Sequence, residues 1–107
     1  MITVSIYRDE NGRCCGFHCS GHAGYAESGS DIVCAAVSAL TMNAINSISE
    51  FTSDTFSYDE DEKSGRMDFR IVSEMSPVSE ILLKSLILGL KSIADAYGRK
   101  YIRFRNE

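Results

Sequence analysis

Cys34 and His22 are the two side chains whose type and placement invite chemistry. Ser30 or Asp31 can cap a helix, and with Asp31 as the cap Cys34 becomes its third residue. Unpaired backbone N–H groups and the positive end of the helix dipole then lie within a turn of the sulfur, a setting that favours thiolate. By helical angle Cys34 stands about 100° from the centre of the stripe made by Val33 and Val37, at the edge of a core and open to the preceding loop. His22 closes the strand before that loop, so a loop that folds back brings an imidazole to the thiol. Histidine there takes the thiol proton, leaves a thiolate–imidazolium pair and later protonates a leaving amine. The helix N-terminus would offer N–H donors to a tetrahedral oxyanion. Together the two residues imply nucleophilic attack on an acyl carbon.

Their neighbours have less definite parts. His18 is an alternative base on the same strand face as His22, but it lies two pleats further from the helix. Asp31 either caps the helix or orients the imidazole, since one carboxylate does not easily do both. Ser38, one turn after Cys34, either donates a hydrogen bond near the sulfur or bonds back to its own helix. Glu27 is a solvated loop residue. Cys14, Cys15 and Cys19 lack the setting of Cys34 and read as inert thiols, two or three of them in the core. Cys15, Cys19 and His22 can be drawn as a metal site, yet their spacing is not that of paired zinc ligands and no second ligand pair exists. No metal and no cofactor is expected.

Seven elements must position these residues. Ile2, Val4 and Ile6 alternate with Thr3, Ser5 and Tyr7, a half-buried strand, and Asn11-Gly12 suits the turn of a hairpin. The return strand puts Cys15, Phe17 and Cys19 on one face and Cys14, Gly16, His18, Ser20 and His22 on the other. A stretch rich in glycine and small polar residues follows, a mobile loop. The first helix then carries Val33, Val37, Leu40, Ala44, Ile48 and Phe51 on one stripe. Residues 55–59 and 67–72 alternate around a turn at 62–65, a second hairpin. Ser76-Pro77 opens a second helix that Gly98 ends, with Leu83, Leu86, Leu90, Ile93 and Tyr97 as its core stripe. Residues 101–105 form a last strand. The order is ββαββαβ: an α+β, two-layer sandwich whose largely antiparallel sheet carries both helices on one face. Ile81 and Leu88 project from the far side of the second helix, beside Ser85 and Ser92, as a dimer seam would.

Length and composition bound the rest. A chain of 107 residues that is 44% hydrophobic and 24% charged is one globular domain over residues 1–107, able to build a core without staples. No apolar run approaches the ~18 residues that span a bilayer. No basic region precedes an apolar stretch at the N-terminus, so the expectation is a cytoplasmic protein with no membrane segment and no disulfide framework. A net charge of −4 argues against a nucleic-acid binder. Asp59, Glu60, Asp61 and Glu62 are consecutive, and Arg99, Lys100, Arg103 and Arg105 crowd the C-terminus. Both clusters suit solvated surface; alternatively the acids attract a cationic partner or the basic edge touches RNA.

The run Gly21-His22-Ala23-Gly24, a short flexible stretch, then Ser30-Asp31-Ile32-Val33-Cys34-Ala35-Ala36-Val37-Ser38 resembles the ribosomal-processing cysteine proteases, small bacterial proteins. The resemblance extends over the whole chain in length and element order. It implies that Cys34 is the nucleophile and His22 the base, with Asp31 and Ser38 in support. It implies that Gly21, Ala23, Gly24, Tyr25 and Ser30 belong to a substrate-binding loop that moves over the site. It further implies a homodimer acting as a site-specific endopeptidase. The implied substrate is the N-terminal extension of large-subunit ribosomal protein twenty-seven, cut after an aromatic-rich stretch. The rival reading is a non-catalytic ribosome-assembly factor that binds a cationic ribosomal protein or RNA. Replacing Cys34 by Ala separates the two, since a binding module is indifferent to it.

Overall fold

The alternation at the N-terminus produces β1 (Ile2–Arg8), whose Ile2, Val4 and Ile6 are buried. In the computed structural model, which describes residues 1–27 and 29–106, β1 is followed by β2 (Cys14–Ser20), α1 (Ile32–Phe51), β3 (Phe56–Asp61), β4 (Arg66–Ile71), α2 (Pro77–Tyr97) and β5 (Ile102–Asn106). Every expected element is present in the expected order. The last four strands each have boundaries one or two residues away from those expected.

The sheet order is β3-β4-β2-β1-β5. The β1–β2, β2–β4 and β3–β4 pairs are antiparallel, and β1–β5 is parallel. α1 and α2 pack against each other. Their buried Val33, Val37, Leu83 and Leu90 join Val4, Phe17, Phe69 and Ile102 of the sheet in one core. Phe17 and Phe69 are paired across β2 and β4 and stack at 5.5 Å with no solvent exposure. Truncating either to Ala removes about 3–5 kcal/mol of stability. On the other face no helix covers Thr3, His18, Asp68, Arg70 or Arg103, which remain part-exposed or exposed.

Several expected details change. The first turn is longer than a two-residue hairpin. Asp9 closes it by accepting from the Asn11 and Arg13 N–H groups, and only Gly12 takes a positive φ, 78°. The pairing of β1 with β2 shifts between Tyr7 and Arg8, and this bulge turns Cys14 into the interior. His22 does not continue the strand face of His18. β2 ends at Ser20, and Gly21, at φ 86°, redirects the chain.

On α1 the buried face runs through Val33, Val37, Thr41, Ala44, Ile45 and Ile48, so Phe51 falls off the stripe and is 69% exposed. A stripe read in steps of three and four drifts round a long helix, which accounts for the change. The same drift buries Ile87 and Ala94 on α2 and leaves Ile93 half-buried and Tyr97 exposed. α1 is also, by length and composition, long and apolar enough to cross a membrane, contrary to the expectation that no stretch is. Here it is the helix that fills the core beside α2.

Candidate active site

The loop between β2 and α1 is organised by one carboxylate. Asp31 caps α1: its Oδ1 accepts the N–H groups of Val33 and Cys34, both at 3.0 Å. Its Oδ2 accepts those of Tyr25 at 3.0 Å and Ala26 at 3.4 Å. Burial alone opposes ionisation of Asp31. The hydrogen bonds from Cys34, Ala26, Tyr25 and Val33 outweigh it and hold the carboxyl below the ordinary carboxylate range. These four backbone partners occupy both oxygens, so the alternative of Asp31 orienting His22 is not the arrangement observed. The expected helix donors for an oxyanion are also engaged. The N–H groups of Val33 and Cys34 point to the Asp31 side chain, and that of Ala35 to the Asp31 carbonyl.

Cys34 is half-buried at the edge of the core. Its Sγ accepts a hydrogen bond from the Ala23 N–H at 3.2 Å. Burial pushes the Cys19 thiol up to about 12 and raises Cys14 and Cys15 as well. All four cysteines are free thiols. Cys15, Cys19 and His22 do not converge, and among the described residues no group of three His, Cys, Asp or Glu side chains could hold a metal ion.

His22 is exposed, and its ring Nε2 lies 2.9 Å from the carbonyl oxygen of Lys63 in the β3–β4 turn. The Gly21 N–H donates to the Ser64 carbonyl of the same turn at 3.0 Å, and the Met1 amino group donates to the His22 carbonyl. His22, Cys34 and Ser38 line two open clefts at once. One, of 610 Å³, runs toward the β3–β4 hairpin over Val37, Met42 and Met67, with Glu60, Asp61 and Glu62 along it. The other, of 480 Å³, runs under the loop past Gly24, Ala26 and Gly29. A chain lying through both passes the thiol and the imidazole at their junction.

The remaining expected residues divide. Gly21 lines the first cleft and Gly24 the second, while the Ala23 side chain is buried beneath the loop. Tyr25 lines neither cleft: it packs edge-on against Tyr97 and Tyr101, with centroids 5.7 and 5.1 Å apart, and fastens the loop to the far end of α2. Ser30 is exposed and bonds through its N–H to the Glu27 carbonyl. Ser38 is exposed, and its carbonyl accepts from Thr41 Oγ1 at 3.1 Å. His18 is on the helix-free face, where Nδ1 meets Asp68 at 3.3 Å and the Tyr7 hydroxyl donates to the same carboxylate. It lines neither cleft. Of the acidic run, Asp59 pairs with Arg66 at 2.8 Å, and only the other three line the cleft. Sequence reasoning missed Lys63, Ser64 and Gly65 as parts of the site. They act through backbone atoms, and a turn glycine was their sole trace.

The family model described as cysteine protease Prp matches residues 1–103. The ribosomal processing cysteine protease Prp of Staphylococcus aureus is 31% identical over 97 residues, covering 91% of this chain and 92% of that protein. The crystal structure of an essential ribosomal processing protease Prp from S. aureus, in complex with a covalently linked product peptide, superposes with a TM-score of 0.92. It is 30% identical, and the match spans all of both chains. A second S. aureus Prp structure, in complex with a substrate peptide, gives a TM-score of 0.87 at 29% identity, again over both whole chains.

Proposed function

The chain belongs to the Prp family of cysteine proteases, and from that premise we propose a site-specific endopeptidase with Cys34 as nucleophile and His22 as general base. Its substrate is the N-terminal extension of large-subunit ribosomal protein twenty-seven. The observation that carries the assignment of residues is the junction itself: His22 and Cys34 both line the two clefts that meet there. His22 takes the Cys34 proton and the thiolate adds to the scissile carbonyl carbon. The carbon–nitrogen bond then breaks as the imidazolium returns its proton to the leaving amine. Water, deprotonated by His22, hydrolyses the thioester and frees the thiol. With the first helical N–H groups committed to Asp31, the Ala23 N–H beside the sulfur is the donor placed to meet the oxyanion.

The substrate reading draws support from charge. Ribosomal proteins are cationic, and Glu60, Asp61 and Glu62 stand along the first cleft. The protein acts in the cytoplasm on a protein substrate, without a metal, a cofactor or direct contact to nucleic acid. Two copies pair through the far side of α2, where Ile81 is 61% and Leu88 69% exposed. Digestion of a panel of synthetic N-terminal peptides from ribosomal proteins tests the substrate. Cleavage confined to that one extension is expected, and indiscriminate cleavage, or none, removes the reading. Neutralising Glu60 and Glu62 together, with Asp61 kept because it braces the turn, should lower kcat/KM more at low salt than at high salt. A salt-independent loss, or no loss, counts against the electrostatic part.

A further inference from the structure

We infer that the β3–β4 turn is a working part of the site: the Lys63 carbonyl fixes His22 as its Nε2–H tautomer and thereby assigns Nδ1 as the atom that takes the Cys34 proton. The inference rests on the reading of His22 as base and adds which nitrogen acts and what holds it. A carbonyl oxygen can only accept a hydrogen bond, so Nε2, 2.9 Å from Lys63 O, carries the hydrogen. In a neutral ring the lone pair is then on Nδ1. A hydrogen bond of ordinary net strength biases the tautomer ratio about fivefold. When the Cys34 proton moves to Nδ1, the ring becomes an imidazolium whose Nε2–H still points at the same carbonyl. That contact strengthens as charge develops. Returning the Nδ1 proton to the leaving amine restores the starting tautomer, with no ring flip in the cycle.

The turn is built to hold its place. Asp61 braces it, Oδ1 accepting the Lys63 N–H at 3.2 Å and Oδ2 the Ser64 hydroxyl at 3.2 Å. Gly21 ties it to the end of β2 through the Ser64 carbonyl. Gly65 lets it approach: at φ 68°, a Cβ there would stand 2.2 Å from the Gly21 carbonyl oxygen and 3.2 Å from His22 Cε1. Lys63 is thus a positioning residue, acting through its backbone on His22.

The chain has only two histidines, so nitrogen-15 labelling with a His18→Gln variant isolates the His22 ring for long-range proton–nitrogen correlation spectroscopy. As the neutral ring, His22 should show Nε2 as the protonated nitrogen and Nδ1 as the bare one. A ring that is Nδ1–H, or an even mixture, overturns the inference. Gly65→Ala should lower kcat at least tenfold with little change in KM and should even out the tautomers. The matched control is Gly12→Ala, at φ 78° with nothing within 4 Å, which carries the same backbone strain in the other hairpin. Equal losses of kcat in both variants would reduce the effect to folding and refute the positioning role. His22→Ala separates the two levels. Full activity without the imidazole defeats the base assignment, whereas lost activity beside an Nδ1–H ring defeats only the tautomer.

Discussion

Asp31 does two separable jobs, and two substitutions pull them apart. Asp31→Ala removes the cap on Val33 and Cys34 together with the tether on Tyr25 and Ala26. Loss of an N-cap costs about 1–2 kcal/mol. Loss of the loop bonds, one of them long, adds about 1 kcal/mol. The sum, about 2–3 kcal/mol, lowers Tm by about 8–12 °C for a domain of this size. Asp31→Asn keeps an oxygen at the cap but turns an amide NH2 toward the Tyr25 and Ala26 N–H groups. It should cost about 1 kcal/mol, or about 4 °C, while freeing the loop and depressing peptide cleavage. Thermal unfolding and cleavage rate measured on both variants check this. Equal Tm losses in the two, or an Ala variant within about 2 °C of the parent, would refute the division of labour. The pH dependence has a fixed sign. The folded-state value of Asp31 lies below that of the unfolded chain, about 3.9. Its stabilisation is therefore complete above that value and lost as pH falls through the folded one, so the gap between parent and Ala variant should close in acid.

The thiols give an independent check. Alkylation followed by mass spectrometry at neutral pH should label Cys34 well before Cys14, Cys15 or Cys19, whose thiols burial pushes up. Replacing His22 by Ala should slow the Cys34 reaction, and equal rates at all four thiols would remove the argument for an activated sulfur. For the α2 seam, Leu88→Glu should convert a dimer to a monomer in sedimentation velocity while each chain stays folded, since the side chain is outside the core of the single chain. A parent that sediments as a monomer contradicts the seam.

What the sequence disclosed was what repeats along it. Period-two alternation marked β1 and β4, the Ser76-Pro77 and Gly98 signals bounded α2, and Asp31 placed Cys34 in the first helical turn. The bulge that buries Cys14 was not legible, because it depends on how β1 and β2 pair rather than on either alone. Gly21 broke the face on which His18 and His22 were grouped, a backbone choice that alternation does not encode. The Asp31 ambiguity was real in the sequence, since cap and imidazole partner ask for the same carboxylate. The loop's glycines gave no sign that Tyr25 and Asp31 tether the described loop at two points. The part played by Lys63 had no side-chain signature at all, because a carbonyl looks alike under every residue.

A Cys34 nucleophile must be acylated at its sulfur by the peptide it cuts. Brief incubation with the ribosomal N-terminal peptide, an acid quench and peptide mapping tests it directly. The fragment carrying Cys34 should gain the mass of the N-terminal product as a thioester, and Cys34→Ala should neither form the adduct nor cleave. Turnover that leaves Cys34 unmodified and persists undiminished in Cys34→Ala would contradict it.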